Sequence, residues 1–374
     1  MTIPLFDPIT IRNITAPNRL ALSPMCQYSA VDGMFGDWHF ANLARLAIGG
    51  FGIVMVEATA INLQGRVTYG DVGLWKDEQI EPLKRIATFI RGQGGVPAIQ
   101  IAHAGRKAST QKPWNGGKAL APESEEKGWE VVGPSAVSVG EGWPLPKALD
   151  HGEMETIKDD WVAAARRAAA AGFDILEVHA AHGYLLNSFL SPIANLRNDE
   201  FGGDIVGRMR YPLDVIAAVR AVWPDEKPLF VRISAVDGVD GGWTIEDSVI
   251  FARELKQIGV DVVDCSSGGV GGSATAARVP RGYGFQVPFA EQVRKEAEIA
   301  TIAVGLIVEP EAANEVIAQG KADIVAIGRQ ALVEPNWPHL AARALSGRPH
   351  YERWPLQVGW WLERRDASLA SSRA

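Results

Sequence analysis

The sequence predicts a single (β/α)8 barrel of the TIM-barrel class, an α/β domain in which each of eight parallel strands precedes a helix. The chain has 374 residues, which suits one such barrel with insertions, although two or three domains would also fit that length. Short Val- and Ile-rich runs alternate with helical segments, and their nearly continuous apolar character favours strands that are covered on both faces.

Eight apolar runs supply the predicted barrel strands. In chain order they are residues 20–22, 53–56, 97–101, 174–178, 229–233, 260–264, 301–304 and 323–327. An open, doubly wound sheet would have to accommodate eight successive units without an evident second fold. The closed barrel is therefore the favoured architecture.

Helical segments occur between and after these runs. They are residues 37–47, 77–92, 155–171, 207–222, 244–256, 289–297, 310–318 and 338–345. Thr244 precedes Asp247 in a capping-box arrangement, which marks the start of a helix. Gly172 and Gly259 stand where a left-handed residue commonly ends one.

Two segments depart from the regular alternation. The connection of residues 103–153, rich in Trp, Pro, Gly and charge, is far longer than usual and is predicted to form a lid-like excursion over one end of the barrel. The barrel should span residues 1–366 and residues 367–374 should form a disordered tail. The Trp-rich segment 354–365 should dock somewhere.

Composition excludes several functional classes. The 37 basic and 44 acidic residues give a net charge of −7, and no long Lys/Arg run is present, so nucleic acid and membrane partners are not expected. The start of the chain lacks secretory-signal character, and no apolar stretch reaches the roughly 18 to 20 uncharged residues that span a bilayer. Cys26 and Cys265 imply no disulfide framework, so a cytoplasmic location is expected.

Functional groups of such barrels lie at the carboxyl ends of the strands. These positions are unusually polar here, and we expect them to converge on one mouth. They are Cys26, Ala58, Gln100, His103, His179, His182, Arg232, Ser266, Gly305, Gly328 and Arg329.

The most specific local element is His179-Ala-Ala-His182-Gly-Tyr184. A strand end that turns into a loop can direct two imidazoles and a phenol at one small polar substrate. The histidines could instead ligate a metal or pack structurally, but a third ligand and a helical H-E-x-x-H arrangement are not evident. Substrate binding is favoured and no metal is predicted.

Gly328-Arg329 lies after the eighth strand and before another helix. Backbone N–H groups and a guanidinium can bind phosphate there, although a simple turn with a surface charge is the alternative. Gly305 after the seventh strand adds support, because this is the usual phosphate position of such barrels.

Arg232 carries a charge within an apolar strand. A buried guanidinium needs a partner. That partner is either an acid, Glu57 or Glu177, or an anionic cofactor ring. The residues alone leave both interpretations open.

Six motifs follow one another between about residue 3 and residue 365. They are Ser23-Pro24-Met25-Cys26-x-Tyr28, Val56-Glu57-Ala58-Thr59, Gln100-Ile101-x-His103-x-Gly105-Arg106-Lys107, His179-x-x-His182-Gly-Tyr184-Leu185, Arg232-Ile233-Ser234 and Ile327-Gly328-Arg329. As an ordered set they resemble the Old Yellow Enzyme family of FMN-dependent ene-reductases. Cys26 with Tyr28 resembles its thermophilic-like branch, which includes NADPH dehydrogenases and xenobiotic reductase A.

The resemblance implies noncovalent FMN at the barrel mouth, with NADPH or NADH as hydride donor. Arg232 would stabilise the reduced flavin, and Cys26 would tune its potential without becoming a covalent nucleophile. Cys265 would belong to the core. The implied cofactor-binding residues are Ser23, Pro24, Met25, Cys26, Ala58, Gln100, Arg232, Gly305, Gly328 and Arg329.

The resemblance also implies reduction of activated C=C bonds in α,β-unsaturated carbonyl or nitro compounds by ping-pong hydride transfer through flavin N5. His179 and His182 would bind the substrate oxygen and Tyr184 would donate a proton. Tyr28 would contact the substrate, and Trp361 would line the active site near a subunit boundary of a homodimer or homotetramer.

Two other functions remain open. One is a flavin-free barrel hydrolase or isomerase that uses His179 and His182 with metal or as an acid–base pair. The other is a flavin- or phosphate-binding protein without turnover. The colour of the purified protein and its response to NADPH distinguish them.

Overall fold

A computed structural model describes residues 3–121, 123–124, 126–271 and 279–372. Its eight parallel strands close into a barrel, which confirms the predicted fold. The first strand pairs with both the second and the last. The strands are β1 Leu20–Leu22, β2 Ile53–Ala60, β3 Val96–Ala102, β4 Ile175–Ala180, β5 Leu229–Ser234, β6 Val262–Ser266, β7 Ala300–Ala303 and β8 Ile324–Ile327.

Each predicted strand is present, but several extend further at the carboxyl end. β2 continues to Ala60, and β4, β5 and β6 continue to Ala180, Ser234 and Ser266. These added residues are small or polar, so an apolar pattern does not reveal them. They are also the residues that carry the mouth of the barrel.

The helices surround the barrel, and the eight predicted segments are all helical. In the part of the chain that the structure describes, three further α-helices, α4, α9 and α11, were not predicted. The helices are α1 Asp37–Ile48, α2 Ile80–Gly92, α3 His151–Ala170, α4 Leu185–Leu190, α5 Ile205–Val222, α6 Ile245–Gln257, α7 Val287–Ala297, α8 Pro310–Ala318, α9 Arg329–Val333, α10 Trp337–Ser346 and α11 Leu356–Ser371. Within the described residues, none of them has the length and hydropathy required to cross a bilayer.

An N-terminal hairpin closes the bottom of the barrel. Its strands, Ile9–Ile11 and Ile14–Ala16, pair antiparallel. Ile9, Ile11 and Ile14 pack against the apolar barrel interior, which includes Ile53, Val96, Ile175, Phe230, Val262, Ile302 and Ile324. This apolar layer confines polar side chains to the opposite end.

The long connection runs between the end of β3 and the start of α3. It contains a short strand pair, Val132–Gly133 with Lys147–Ala148. Arg106 within it donates to the Val270 carbonyl oxygen at 2.6 Å. The connection is therefore attached to the loop that follows β6.

The carboxyl-terminal segment differs from the expectation. Residues 367–371 form the last turns of α11 and not a frayed tail, while residues 373–374 lie outside the described part of the chain. Asp366 accepts a hydrogen bond from the Tyr351 hydroxyl at 2.8 Å, which ties α11 to the preceding turn. Trp361 is 68% exposed on this helix.

Candidate active site

A cavity of about 300 Å³ opens at the barrel mouth. It brings together many of the predicted strand-end residues, among them Ser23, Met25, His182, Arg232, Ser266, Gly305, Gly328 and Arg329. Eight predicted site residues lie outside this wall: Pro24, Cys26, Tyr28, Ala58, Gln100, His179, Tyr184 and Trp361. Of these, Trp361 is exposed on α11, so the chain by itself does not bring this residue to the site.

The loop after β1 forms one side of the site. The Ser23 N–H donates to the Ile327 carbonyl oxygen of β8 at 3.0 Å, which fixes the start of the loop. Burial, together with Glu57, raises the pKa of the Cys26 thiol well above its ordinary value. Cys26 also contacts the Ala58 backbone and the Tyr28 hydroxyl. A neutral thiol is a poor nucleophile and metal ligand.

Tyr28 adopts a left-handed conformation, with φ of 49°. Its ring meets Trp114 of the long connection edge-on, with centroids 5.9 Å apart. The negative charge that a Cys26 thiolate would carry, followed by burial, raises the pKa of Tyr28. The phenol therefore remains protonated.

A row of polar side chains crosses the barrel interior beneath the mouth. Gln100 on β3 donates to Glu177 on β4 at 2.7 Å. The strand register places Arg232 of β5 beside His179 of β4 and Asp264 of β6. A cation, two acids and the Gln100 amide thus occupy one polar layer of the barrel interior.

Arg232 forms its ion pair with Asp264, at 3.2 Å between Nε and Oδ2. Of the two alternatives for Arg232, the ion pair is therefore present, but its acid is Asp264 and not Glu57 or Glu177. The approach is poorly aligned, so among the described residues Nε has no hydrogen-bond acceptor. Burial raises the pKa of Glu177 and of Asp264, and Arg232 opposes both shifts. Arg232 also lines the cavity. It can therefore keep its ion pair with Asp264 and also contact a cofactor bound in the cavity.

His179 and His182 face one another at the end of β4, with ring centroids 5.1 Å apart. His179 Nδ1 accepts the Ala181 N–H at 3.1 Å. The proton of the neutral ring is therefore on Nε2, which makes Nε2 a hydrogen-bond donor. His182 Nε2 lies 2.7 Å from the Ser266 hydroxyl of β6.

Both imidazoles are neutral at pH 7. Burial, followed by the Arg232 charge, lowers the pKa of His179 and of His182 well below the ordinary value. Neither belongs to a group of His, Cys, Asp and Glu side chains close enough to share a metal ion within the described residues.

Tyr184 completes this cluster. Its ring centroid is 4.7 Å from that of His179. Burial raises the pKa of Tyr184, and a Cys26 thiolate would raise it further. Its hydroxyl is therefore available as a proton donor across the neutral pH range.

The far wall of the cavity is shaped by glycines. Gly305 has φ of +118°, and a Cβ there would lie 3.0 Å from Gln286 Nε2 and 3.1 Å from Phe285. Ser267 donates to Gln286 Oε1 at 2.7 Å, which holds that amide in the wall. Arg329 at the start of α9 supplies a cation on the same side.

Sequence reasoning missed several residues of this wall. They are Ser267, Arg281, Phe285 and Gln286. The polar run Ser266-Ser267-Gly268-Gly269 directly after an apolar strand was a usable signal. Phe285 and Gln286 come from the amino-terminal approach to α7, which has no strand-end signature.

These features fit FMN. Arg232 provides a buried donor that faces the cavity, suited to an electron-rich ring. The Gly305 and Gly328 backbones leave room that side chains would fill, and Arg329 offers a phosphate partner. A closed barrel with this mouth is suited to a flavin-dependent oxidoreductase.

Comparison with known proteins agrees. The model of the NADH:flavin oxidoreductase / NADH oxidase family matches residues 4–349. NADPH dehydrogenase of Geobacillus sp. (strain WCH70) is 42% identical over 362 residues, covering 95% of this chain and 98% of that protein. NADPH dehydrogenase of Bacillus subtilis (strain 168) is 40% identical over 91% of this chain and 95% of that protein.

Solved structures give the same result. Morphinone reductase superposes with a TM-score of 0.76 at 26% identity, covering 92% of this chain and 90% of that one. A 2-naphthoyl-CoA reductase complex reaches 0.82 at 26% identity, covering 93% of this chain and 53% of that one. The chain belongs to the NADH:flavin oxidoreductase / NADH oxidase family. It is an NAD(P)H-dependent, FMN-containing oxidoreductase of the Old Yellow Enzyme type.

Proposed function

We propose that this enzyme uses NADPH to reduce activated C=C bonds of α,β-unsaturated carbonyl or nitro compounds in a ping-pong cycle. The observation that carries the proposal is the cluster of His179, His182 and Tyr184 at the end of β4, beside Arg232. When bound, FMN would supply the redox chemistry, which is hydride transfer between the nicotinamide and the substrate.

His179 and His182 bind the carbonyl or nitro oxygen of the substrate. Their lowered pKa keeps both rings neutral, and His179 has Nε2–H free of the bond made at Nδ1. Donors fixed before the reaction stabilise the negative charge that develops on that oxygen as hydride reaches the β-carbon.

Tyr184 protonates the α-carbon. Its raised pKa retains the hydroxyl proton until it is needed, and its ring packs against His179. A positioned phenol acts here as general acid.

The residues proposed to hold FMN divide into two groups. Arg232 and Gln100 would contact the ring from within the barrel, and Gly305 with Arg329 would accommodate the phosphate. The full ring-contacting group is Ser23, Pro24, Met25, Cys26, Ala58, Gln100 and Arg232, and the phosphate group is Gly305, Gly328 and Arg329. Support comes from the cavity wall, which contains Ser23, Met25, Arg232, Gly305, Gly328 and Arg329. Cys26 contacts the Ala58 backbone in the same loop region, and Gln100 is bonded to Glu177 in the barrel interior.

Tyr28 is proposed to contact the substrate from the β1 loop. Trp361 remains a proposed substrate contact only through a neighbouring copy, since it is 68% exposed on α11. The exposed aromatic face of Trp360 and Trp361 supports a homodimer or homotetramer. A cytoplasmic location is proposed with these assignments.

Purified protein tests the proposal. It should be yellow, lose its flavin absorbance on anaerobic mixing with NADPH, and regain it with cyclohex-2-enone but not with cyclohexanone. Colourless protein that takes up no FMN would favour a flavin-free hydrolase or isomerase. Flavin that NADPH cannot bleach would favour a binding protein without turnover.

A further inference from the structure

Lys107 is a buried cation beside the turn that carries His182 and Tyr184. It ends the short 3-10 helix Gly105–Lys107 after β3 and is 6% exposed. Its ammonium donates to the His182 carbonyl oxygen at 2.8 Å and to the Gly269 carbonyl oxygen at 2.9 Å. It lies 5.7 Å from the centre of the Tyr184 ring.

No carboxylate within the described residues forms an ion pair with this ammonium. The neighbouring charge is another cation, Arg106, which donates to the carbonyl oxygens of Val137 and Val270. Burial and Arg106 together lower the pKa of Lys107 to about 7. Burying a charge without a counterion costs stability. Negative charge that develops nearby would therefore stabilise the Lys107 ammonium.

The two turns that Lys107 joins are in direct backbone contact. Gly183 has φ of +74°, and a Cβ there would lie 2.4 Å from the Gly269 carbonyl oxygen. Gly269 has φ of +97°, and a Cβ there would lie 2.6 Å from His182 Cα. Lys107 bridges these two turns through its hydrogen bonds to the His182 and Gly269 carbonyl oxygens.

We propose that Lys107 is a positioning residue with an electrostatic role: it fixes the His182 turn and, through it, favours negative charge on the substrate oxygen held by His179 and His182. The inference rests on the proposed function. Lys107 acts through His182 and Tyr184 and makes no bond to substrate. A charge within several ångströms of a developing anion in a buried site alters the affinity for that anion by about tenfold or more.

The test separates the charge from the cross-link in the FMN-bound enzyme. Lys107→Gln keeps hydrogen-bond donors but removes the charge. Pentafluorophenol, ionised at neutral pH, and cyclohexanone, a neutral ketone, are titrated while the flavin spectrum is followed. We expect the variant to weaken phenolate binding about tenfold or more and ketone binding by less than about threefold.

Lys107→Arg retains the charge and should retain the phenolate-to-ketone affinity ratio even where both affinities fall. Lys118→Gln removes an exposed charge from the same connection and should leave both affinities unchanged. Equal losses for the two ligands in Lys107→Gln, or no loss, would overturn the electrostatic role.

Failure of the inference and failure of the proposed function are distinguishable. If wild-type flavin is neither bleached by NADPH nor restored by cyclohex-2-enone, the proposed function fails. If the wild type passes and Lys107→Gln keeps the wild-type affinity ratio, only the role of Lys107 is refuted.

Discussion

The protonation of single side chains determines what the mouth of the barrel can do. His179 gives its Nδ1 lone pair to a backbone N–H and so presents Nε2–H as a donor. Tyr184 and Cys26 are held protonated by burial. Beside the histidine pair, the site therefore offers neutral donors and the Arg232 cation to a ligand that accumulates negative charge.

Tyr184→Phe should slow the alkene half-reaction by about a hundredfold or more, the usual range for loss of a general acid. Flavin reduction by NADPH needs no proton from this residue and should be nearly unchanged. Stopped-flow absorbance of each half-reaction measures both rates. Tyr69→Phe, which removes a hydroxyl bonded to the Lys127 carbonyl oxygen, serves as control, and equal losses in both half-reactions would contradict the assignment.

The double variant His179→Ala/His182→Ala should abolish the spectral change that phenols cause in the bound flavin, because the phenolate oxygen loses both of its donors. Ligand titration at pH 8 measures this. His151→Ala removes an exposed imidazole and provides the comparison. An unaltered phenol spectrum in the double variant would refute oxygen binding by these histidines.

The strand-end residues were predictable because parallel strands deliver their carboxyl ends to one mouth. Asp264, the acid that pairs with Arg232, was not predicted because it lies at the end of an apolar run and was assigned to the strand. The role of Lys107 was not predictable, since nothing in the local sequence shows that its ammonium reaches carbonyl oxygens 75 and 162 residues away.

At the scale of elements, helix ends follow rules that the sequence displays. Thr244 accepts the Asp247 N–H at 3.3 Å and Asp247 accepts the Thr244 N–H at 3.0 Å, which confirms the predicted capping box of α6. Asp150 and Glu153 form the same arrangement at α3.

Thr244→Ala should lower the free energy of unfolding by about 1 kcal/mol, because a terminal N–H of α6 loses its acceptor. Thr244→Ser retains an acceptor hydroxyl and should cost much less. Urea denaturation of the FMN-bound enzyme measures both. Equal destabilisation by the two variants would show that the methyl group and not the cap is responsible.

Gly305→Ala should weaken FMN binding, since the new methyl group would press on Gln286 and Phe285 in a conformation unsuited to alanine. Fluorescence of released FMN measures the affinity, and a loss of about tenfold is expected. Gly347→Ala, with φ of +73° and open space around the Cβ, tests backbone strain alone. A comparable loss of FMN affinity in this control would show that backbone strain, and not contact with the cavity wall, causes the effect of Gly305→Ala.

The elements themselves were largely predictable because strands and helices of a barrel differ in length and in apolar period. The short helices α4 and α9 follow the polar strand ends and have no period of their own. The hairpin Ile9–Ile11 with Ile14–Ala16 is only three residues a side, and its role as a plug depends on the barrel above it.

For the molecule as a whole, buried ionisable groups couple stability to pH in two directions. Burial lowers the pKa of His103 to about 3 and of His39 to about 4. The unfolded chain takes up protons at these imidazoles near pH 6.5, whereas the folded protein does not until the pH is much lower. The free energy of unfolding therefore decreases as the pH falls from 6.5 towards these folded-state pKa values. Burial raises the pKa of Glu57 to about 8. The contribution of Glu57 to the free energy of unfolding therefore declines as the pH rises from the ordinary carboxyl pKa towards 8.

His103→Asn should reduce the acid sensitivity of the fold. Asparagine can accept the Gly105 N–H that His103 Nδ1 accepts at 3.0 Å, and it has no proton to gain. The wild type should lose about 2 kcal/mol more than the variant between pH 7 and pH 5. Thermal unfolding of the FMN-bound proteins at both pH values measures this, and parallel pH curves would contradict it.

The contact between the turns at Gly183 and Gly269 has a consequence for divergence within the family. Neither position accepts a side chain unless the other turn moves, so mutations in the two loops are not independent. A lineage that acquires new substrates should alter these loops together or leave both unchanged. Libraries that randomise one of them alone should yield mostly inactive protein, whereas paired libraries should recover function.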